Sequence, residues 1–242
     1  MRILITNDDG IQGEGLLHLV KWAQKLGEVV VAAPKVEQSA KSHSIQIHDR
    51  FEVKKVEYLP GVTAYAVDSS PADCVRVLTL GMHEQFDLVL SGINRGLNVG
   101  SDIMYSGTVA AVFEASALGL KAIAVSTEPH TISTAWEHLD RVWDYFCKHE
   151  LLKKHDVYNV NIPANAGDIR ITRQGGPYYS DDFLPEENDL YRPHGKPVYR
   201  PSNSCLDTDT VLTDHMISIM PLTTQRVDLA VYEQLKALNE LV

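Results

Sequence analysis

The sequence is short of the features that would tie it to a disulfide scaffold, a membrane or a nucleic acid. Its three cysteines, Cys74, Cys147 and Cys205, stand far apart, with no paired spacing for zinc or for a disulfide framework. Such usage fits a reducing compartment, and a cytoplasmic location is the expectation. No apolar run approaches the ~20 residues that cross a bilayer. The chain opens on a strand-like segment rather than a basic stretch and an apolar signal region. Positive charge is scarce too: 22 Lys and Arg against 32 Asp and Glu leave a net charge of -10. That balance disfavours nonspecific nucleic-acid binding, which needs a positive field to displace counterions. Small anions are admitted only where local donors or a metal reverse the field.

Several motifs are missing as well. Nothing reads Gly-x-x-x-x-Gly-Lys-Ser/Thr, so use of nucleoside triphosphate energy is disfavoured. Despite ten histidines there is no HExxH pair, and most of them read as surface or structural residues. Only His43, in a loop considered below, is a candidate proton donor. There is no internal repeat and no low-complexity tract. A composition of 44% hydrophobic and 22% charged residues is that of a globular protein rather than a disordered one. At 242 residues the chain has room for one large α/β domain or two smaller ones.

What is present begins at the N-terminus. Arg2-Ile3-Leu4-Ile5-Thr6 reads as a buried parallel strand, running into Asn7-Asp8-Asp9-Gly10. Two adjacent carboxylates at a strand end repel each other and cost several kcal/mol to desolvate unless a cation or hydrogen-bond donors compensate. A divalent metal is one compensation. A turn in which Asp8 caps the next helix and Asp9 faces water is the other.

The pattern that follows predicts a doubly wound, Rossmann-like α/β fold with a mostly parallel sheet. A helix over residues 13–26 and a strand over 29–33 complete a strand-helix-strand unit, which implies a right-handed crossover. The polar loop 35–49 then leaves the carboxyl end of the second strand. Residues 51–58 and 62–67 read as a hairpin-like excursion around Pro60-Gly61. Ser70 and Pro71 signal a helix start, with Val75, Val77, Leu78 and Met82 on its buried side. A strand over 86–92 meets a glycine- and asparagine-rich stretch, 93–101, predicted to be a shaped loop. A small-residue helix over 110–118, a strand over 121–127, a helix over 131–152 and a strand over 157–163 continue the alternation.

Residues 1–174 are thus expected to form the catalytic core. Residues 175–242 are expected to be a C-terminal extension of the same domain, used in oligomerisation. It holds a polar, weakly periodic arm over 175–209, a strand over 216–220 and a terminal helix over 228–241.

In such sheets ligands bind beyond the carboxyl ends of the strands. Three loops meet that edge: Asp8 and Asp9 after the first strand, Ser39 after the second, and Asn94 after Leu90. Oxygen ligands alone suit a hard divalent cation such as magnesium or manganese. Ser106-Gly107-Thr108 is either an ordinary helix cap or an anion site, where free N–H groups and hydroxyls meet a phosphate. Metal beside phosphate suggests phosphoryl transfer to water.

These residues carry a resemblance. Asn7-Asp8-Asp9-Gly10, Ala33-Pro34 followed by Ser39, Ser91-Gly92-Ile93-Asn94 with Gly96, Asn98 and Gly100, and Tyr105-Ser106-Gly107-Thr108-Val109-Ala110-Ala111 resemble the SurE family, the survival protein and 5′-nucleotidase. The likeness extends to Ser218-Ile219-Met220-Pro221-Leu222. It implies one divalent metal per subunit on Asp8, Asp9, Ser39 and Asn94, with Asp8 and Asp9 catalytic. It makes Asn94, Asn98, Ser106, Gly107 and Thr108 the candidate substrate-binding residues. It implies hydrolysis of nucleoside 5′-monophosphates, often 3′-monophosphates, and sometimes short polyphosphate. It also implies a homodimer or homotetramer with exchanged C-terminal elements, and Tyr178, Tyr179 and Tyr191 on the arm would then touch either a base or a second subunit. Where that family commonly reads Arg-Ser-Gly-x-Ser, this chain has Gln38-Ser39-Ala40-Lys41-Ser42, so Lys41 is the local cation.

Two rival readings are a phosphatase of the haloacid dehalogenase type and a non-enzymatic nucleotide- or phosphate-binding regulatory module. The first needs Asp-x-Asp, whereas Asp8 and Asp9 are adjacent.

Overall fold

The computed structural model describes residues 1–202 and 204–238. The chain begins with β1 (Arg2–Thr6), α1 (Glu14–Ala23) and β2 (Glu28–Pro34), then β3 (Val53–Val56) and β4 (Thr63–Val67). Next come α2 (Pro71–Arg76), β5 (Leu88–Arg95), α3 (Gly107–Ala117) and β6 (Ala122–Thr127). After α4 (Ile132–Glu137), α5 (Leu139–Lys148) and α6 (Leu151–Lys154) the chain returns as β7 (Val157–Ile162) and β8 (Ile169–Ile171).

The main sheet has nine strands, eight of them already named. Its order is β3-β4-β2-β1-β5-β6-β7, and β8 lies at the far edge beyond one late strand, β13 (Ile217–Pro221), which is antiparallel to β7. From β4 to β7 every pairing is parallel. The strands are apolar on both faces because both are covered. Ile3 and Ile5 of β1 face a core shared with Leu16 and Leu19 of α1 and Val142 and Phe146 of α5. Leu4 faces the opposite core with Val75 of α2 and Val109 and Val112 of α3. The winding reverses between β1 and β5, which makes the gap between their carboxyl ends the switch point of the sheet.

Local signals explain most boundaries. Ser70 Oγ accepts a hydrogen bond from Asp73 N at 3.1 Å, and Pro71 opens α2. Val75 and Leu78 are buried, but Met82 is 38% exposed, because the helix widens into a π-helical turn, Val77–Gly81, which shifts the α-helical spacing before Met82. β3 and β4 pair antiparallel as an excursion at the sheet edge.

Three boundaries differ from expectation. β5 runs on through Asn94 to Arg95, with a register shift against β6 between Ser91 and Asn94, and a 3-10 helix, Gly100–Tyr105, follows. The helix expected over 131–152 is three helices, broken at His138 and at Glu150, which adopts a left-handed φ of 52°. Leu151, directly after that turn, packs into the core. No glycine or proline marks either break.

The polar stretch divides into two parts. A β-ribbon folds back on itself through β9 (Tyr179–Ser180), β10 (Phe183–Pro185), β11 (Tyr191–Pro193) and β12 (Lys196–Pro197), pairing β10 with β11 and β9 with β12. By contrast α7 (Asp207–Leu212) is buried against the sheet. α8 (Leu229–Leu235) buries none of its residues, leaving Leu229, Val231, Tyr232 and Leu235 exposed. The last residues of the expected terminal helix, 239–241, lie outside the described residues.

Candidate active site

Asn7 to Gly10 leave the carboxyl end of β1 at the switch point, and three other segments are hydrogen-bonded to them. Gln38 N donates to Asp8 O at 2.7 Å, bringing the loop that holds Ser39 beside the pair. Arg95 N, next to Asn94, donates to Asp9 Oδ2 at 3.3 Å. Thr108 at the start of α3 donates twice to Asp8, from Oγ1 to Oδ1 at 2.5 Å and from N to Oδ2 at 3.1 Å. The close approach needs Gly107: a Cβ there would lie 2.8 Å from Asp8 Cβ and 3.0 Å from Oδ2.

The helix start therefore takes Asp8 as its anion. Ser106 Oγ accepts from Val109 N at 3.0 Å, so the N–H groups of Thr108 and Val109 are both engaged. Thr108 positions a carboxylate rather than standing free. Ser106 and Gly107 sit at the turn just ahead of it.

Burial pushes the Asp8 carboxyl up to about 6, with the Asp9 charge adding to it and the Thr108 hydrogen bonds opposing it. Burial also raises Asp9, with Arg95 opposing and the Glu37 charge adding. Among the described residues neither carboxylate forms an ion pair with Lys, Arg or His. Asn7 donates through Nδ2 to Gly10 O at 2.9 Å, while its buried Oδ1 has no partner among the described residues. Adjacent carboxylates whose ionisation burial opposes, next to an unpartnered amide oxygen, are donor chemistry that suits a hard divalent cation. No group of three His, Cys, Asp or Glu lies together among the described residues, so any cation here would need hydroxyl, amide or water oxygens as its other ligands.

The remaining predicted residues are less uniform. Asn94 is half-buried and its Nδ2 donates to Gly96 O at 2.8 Å. Ser39 is exposed, and its Oγ donates to Glu37 Oε1 at 2.7 Å rather than to either carboxylate of the pair. Asn98 is buried in a net of amides: its N donates to Asn161 Oδ1 at 2.9 Å and its Nδ2 to Ser126 Oγ at 2.8 Å. Its carbonyl accepts from Asn159 Nδ2 and Asn161 Nδ2, each at 2.8 Å. Asn98 thus shapes the loop between β5 and α3.

Two further clusters escaped the sequence reading. Buried Asp207 accepts from Gly100 N at 2.8 Å, Gly175 N at 2.7 Å and Thr208 N at 2.8 Å, tying the loop ahead of α3 to the root of the ribbon. Gly100 is required there, since a Cβ would meet Gly176 O at 1.9 Å. Glu114 of α3 lies between His43 Nε2 at 2.8 Å and Arg76 Nη1 at 2.9 Å. The His43 hydrogen bond holds the Glu114 carboxyl below its ordinary value; burial opposes this, and Arg76 reinforces it. A lone Glu in the apolar run Val109-Ala110-Ala111-Val112-Phe113-Glu114-Ala115 was the available signal.

The fold and this site define a doubly wound α/β protein with an acidic centre clamped by a helix start. The family profile of the survival protein SurE matches residues 3–181, and the chain belongs to the SurE family. It is 35% identical over 252 residues to "5'-nucleotidase SurE" of Caldanaerobacter subterraneus subsp. tengcongensis, covering 98% of this chain and 96% of that one. It is 41% identical over 211 residues to the protein of the same name from Clostridium beijerinckii, covering 81% and 83%. The crystal structure of SurE from Aquifex aeolicus superposes with a TM-score of 0.81 at 29% identity, covering 99% of this chain and all of that one.

Proposed function

We propose that this chain is a divalent-cation-dependent phosphomonoesterase that hydrolyses nucleoside 5′-monophosphates to nucleoside and phosphate. The observation that carries the proposal is buried Asp8 beside half-buried Asp9 at the switch point, with the start of α3 on Asp8 and no cationic side chain paired to either. The relatives' name, 5'-nucleotidase, supports the substrate.

Asp8, Asp9, Asn94 and Ser39 would hold one magnesium or manganese per subunit, with Ser39 turning away from Glu37 to do so. A bound cation would lower the pKa of a water and neutralise charge as the leaving group departs. Thr108 holds Asp8 in place, and its two donated bonds favour the ionised carboxylate that a metal needs. Ser106 and Gly107, at the mouth of the α3 dipole, receive the phosphate. Asn94 and Asn98 complete the substrate edge, Asn98 through the loop it shapes.

The proposal extends to nucleoside 3′-monophosphates and short polyphosphate, on the family resemblance. It also holds that residues 1–174 are the catalytic core and that 175–242 serve assembly into a homodimer or homotetramer with exchanged C-terminal elements, in the cytoplasm. Phe183, Tyr191, Tyr232 and Leu235, exposed on the ribbon and α8, support an apolar partner surface.

Phosphate release from a nucleotide panel, with magnesium, manganese or chelator, tests the activity. Metal-dependent turnover abolished in Asp9→Asn is the expected result. No turnover with either metal on any nucleotide would leave a non-enzymatic nucleotide-binding module.

A further inference from the structure

Along the outer side of α3 runs a cavity of about 490 Å³ that the acidic centre does not account for. Its walls include Ser106, Ala110 and Phe113 of α3, Tyr105 ahead of it, His43 from the second loop and Arg226 from the C-terminal segment. Ser106 also caps the helix that grips Asp8, so the cavity opens directly beside the proposed phosphate position. We infer that this cavity is the nucleoside subsite, with the base lying against Phe113 and His43; the inference rests on the nucleotidase reading.

Helix geometry sets the scale. Phe113 is seven residues beyond Ser106, or about 10 Å along the axis at ~1.5 Å per residue. A phosphate at Ser106, a ribose over the small Ala110 and a base at Phe113 fill that length in order. The volume lies within the roughly 300–1,000 Å³ of small-molecule sites. A second cavity of about 170 Å³ shares His43, Phe113 and Arg226 and continues to Ala117, which leaves the base end open enough for a two-ring base.

The far wall is rigid. His43 and Phe113 stack with ring centroids 6.5 Å apart and planes 24° apart, and Glu114, itself held by Arg76, fixes the His43 ring through Nε2. Glu114 lies eight residues beyond Ser106, about 12 Å along α3. Glu114 and Phe113 together fix where the His43 ring lies, and we assign that ring to the base.

The test compares adenosine 5′-monophosphate with ribose 5-phosphate, which lacks the base, on the manganese-loaded enzyme. In Phe113→Ala the ratio of kcat/KM for the nucleotide to that for the sugar phosphate falls at least tenfold, through KM, as expected for loss of a base–aromatic stack. Phe113→Leu, which keeps apolar volume for folding, moves the ratio in the same direction. Adenosine binding, followed by calorimetry without turnover, weakens in both variants. An unchanged ratio in both variants overturns the subsite. If the wild type hydrolyses neither substrate yet binds adenosine in a Phe113-dependent way, the subsite stands and the nucleotidase reading fails.

Discussion

Thr108 holds Asp8 at both carboxylate oxygens, Oγ1 to Oδ1 at 2.5 Å and N to Oδ2 at 3.1 Å, across 100 residues of sequence. The backbone bond survives any substitution but proline, whereas the hydroxyl bond survives only where a hydroxyl is kept. Thr108→Val keeps shape and leaves Oδ1 unpaired; manganese affinity, read by calorimetry, should fall about 10- to 100-fold. Thr108→Ser should retain most of it. Wild-type affinity in Thr108→Val would remove Thr108 from the site.

The Asp8 carboxyl gives the metal-free protein a pH dependence of known sign. Its folded value, about 6, lies above the ordinary 3.8, so the folded state binds that proton more tightly than the unfolded state. Stability from this group therefore grows as pH falls from about 6 toward 4 and is lost as pH rises through that window, by up to ~3 kcal/mol. Urea unfolding in chelator should show this slope in the wild type and its loss in Asp8→Asn. Parallel slopes would refute the assignment. Metal affinity should run the other way, weakening below about pH 6 as protons compete for the same oxygens.

Asp207 is the joint between the ribbon and the loop that feeds α3. In Asp207→Asn the amide nitrogen cannot accept, so at least one of the Gly100, Gly175 and Thr208 N–H groups is orphaned. The cost is about 2 kcal/mol, or a drop in Tm of roughly 4–8 °C. A thermal melt measures it, and an unshifted Tm would mean that the three bonds carry no net stability.

Ala40 adopts φ +57°, the left-handed region, at the position where the family commonly has glycine. An alanine there costs roughly 1 kcal/mol that glycine avoids. Ala40→Gly should raise Tm by about 2–4 °C, less whatever entropy the glycine adds to the unfolded chain. A lowered Tm would show that the loop gains nothing from the exchange.

Much of the fold was legible because it rests on local signals. The apolar runs of β1 and β2, the Ser70-Pro71 start of α2 and the helical spacing of Leu16, Leu17, Val20, Ala23 and Leu26 each report a neighbouring environment. Asp8 and Asp9 were legible because two adjacent carboxylates at a strand end demand compensation. Thr108 read as a cap or anion donor because its partner is 100 residues away, a distance over which spacing carries no information. Asp207 was hidden for the same reason. It stands in a stretch rich in Pro, Tyr and Asp that looks solvated throughout, and nothing local separates a buried carboxylate caged by N–H groups from an exposed one. Helix breaks at His138 and Glu150 lacked glycine or proline, so periodicity ran through them unmarked.

The insertion of β13 between β7 and β8 has a temporal consequence. Among the described residues β8 pairs with no other strand, so the segment at 169–171 waits without a strand partner until residues 217–221 have left the ribosome. β1, the first strand synthesised, supplies the acidic pair, while Arg226 on the wall of the nucleoside groove follows only five residues after β13. Completion of the sheet and completion of the groove therefore belong to the last stage of synthesis, and a nascent chain carries its carboxylates long before it has a pocket to use them in.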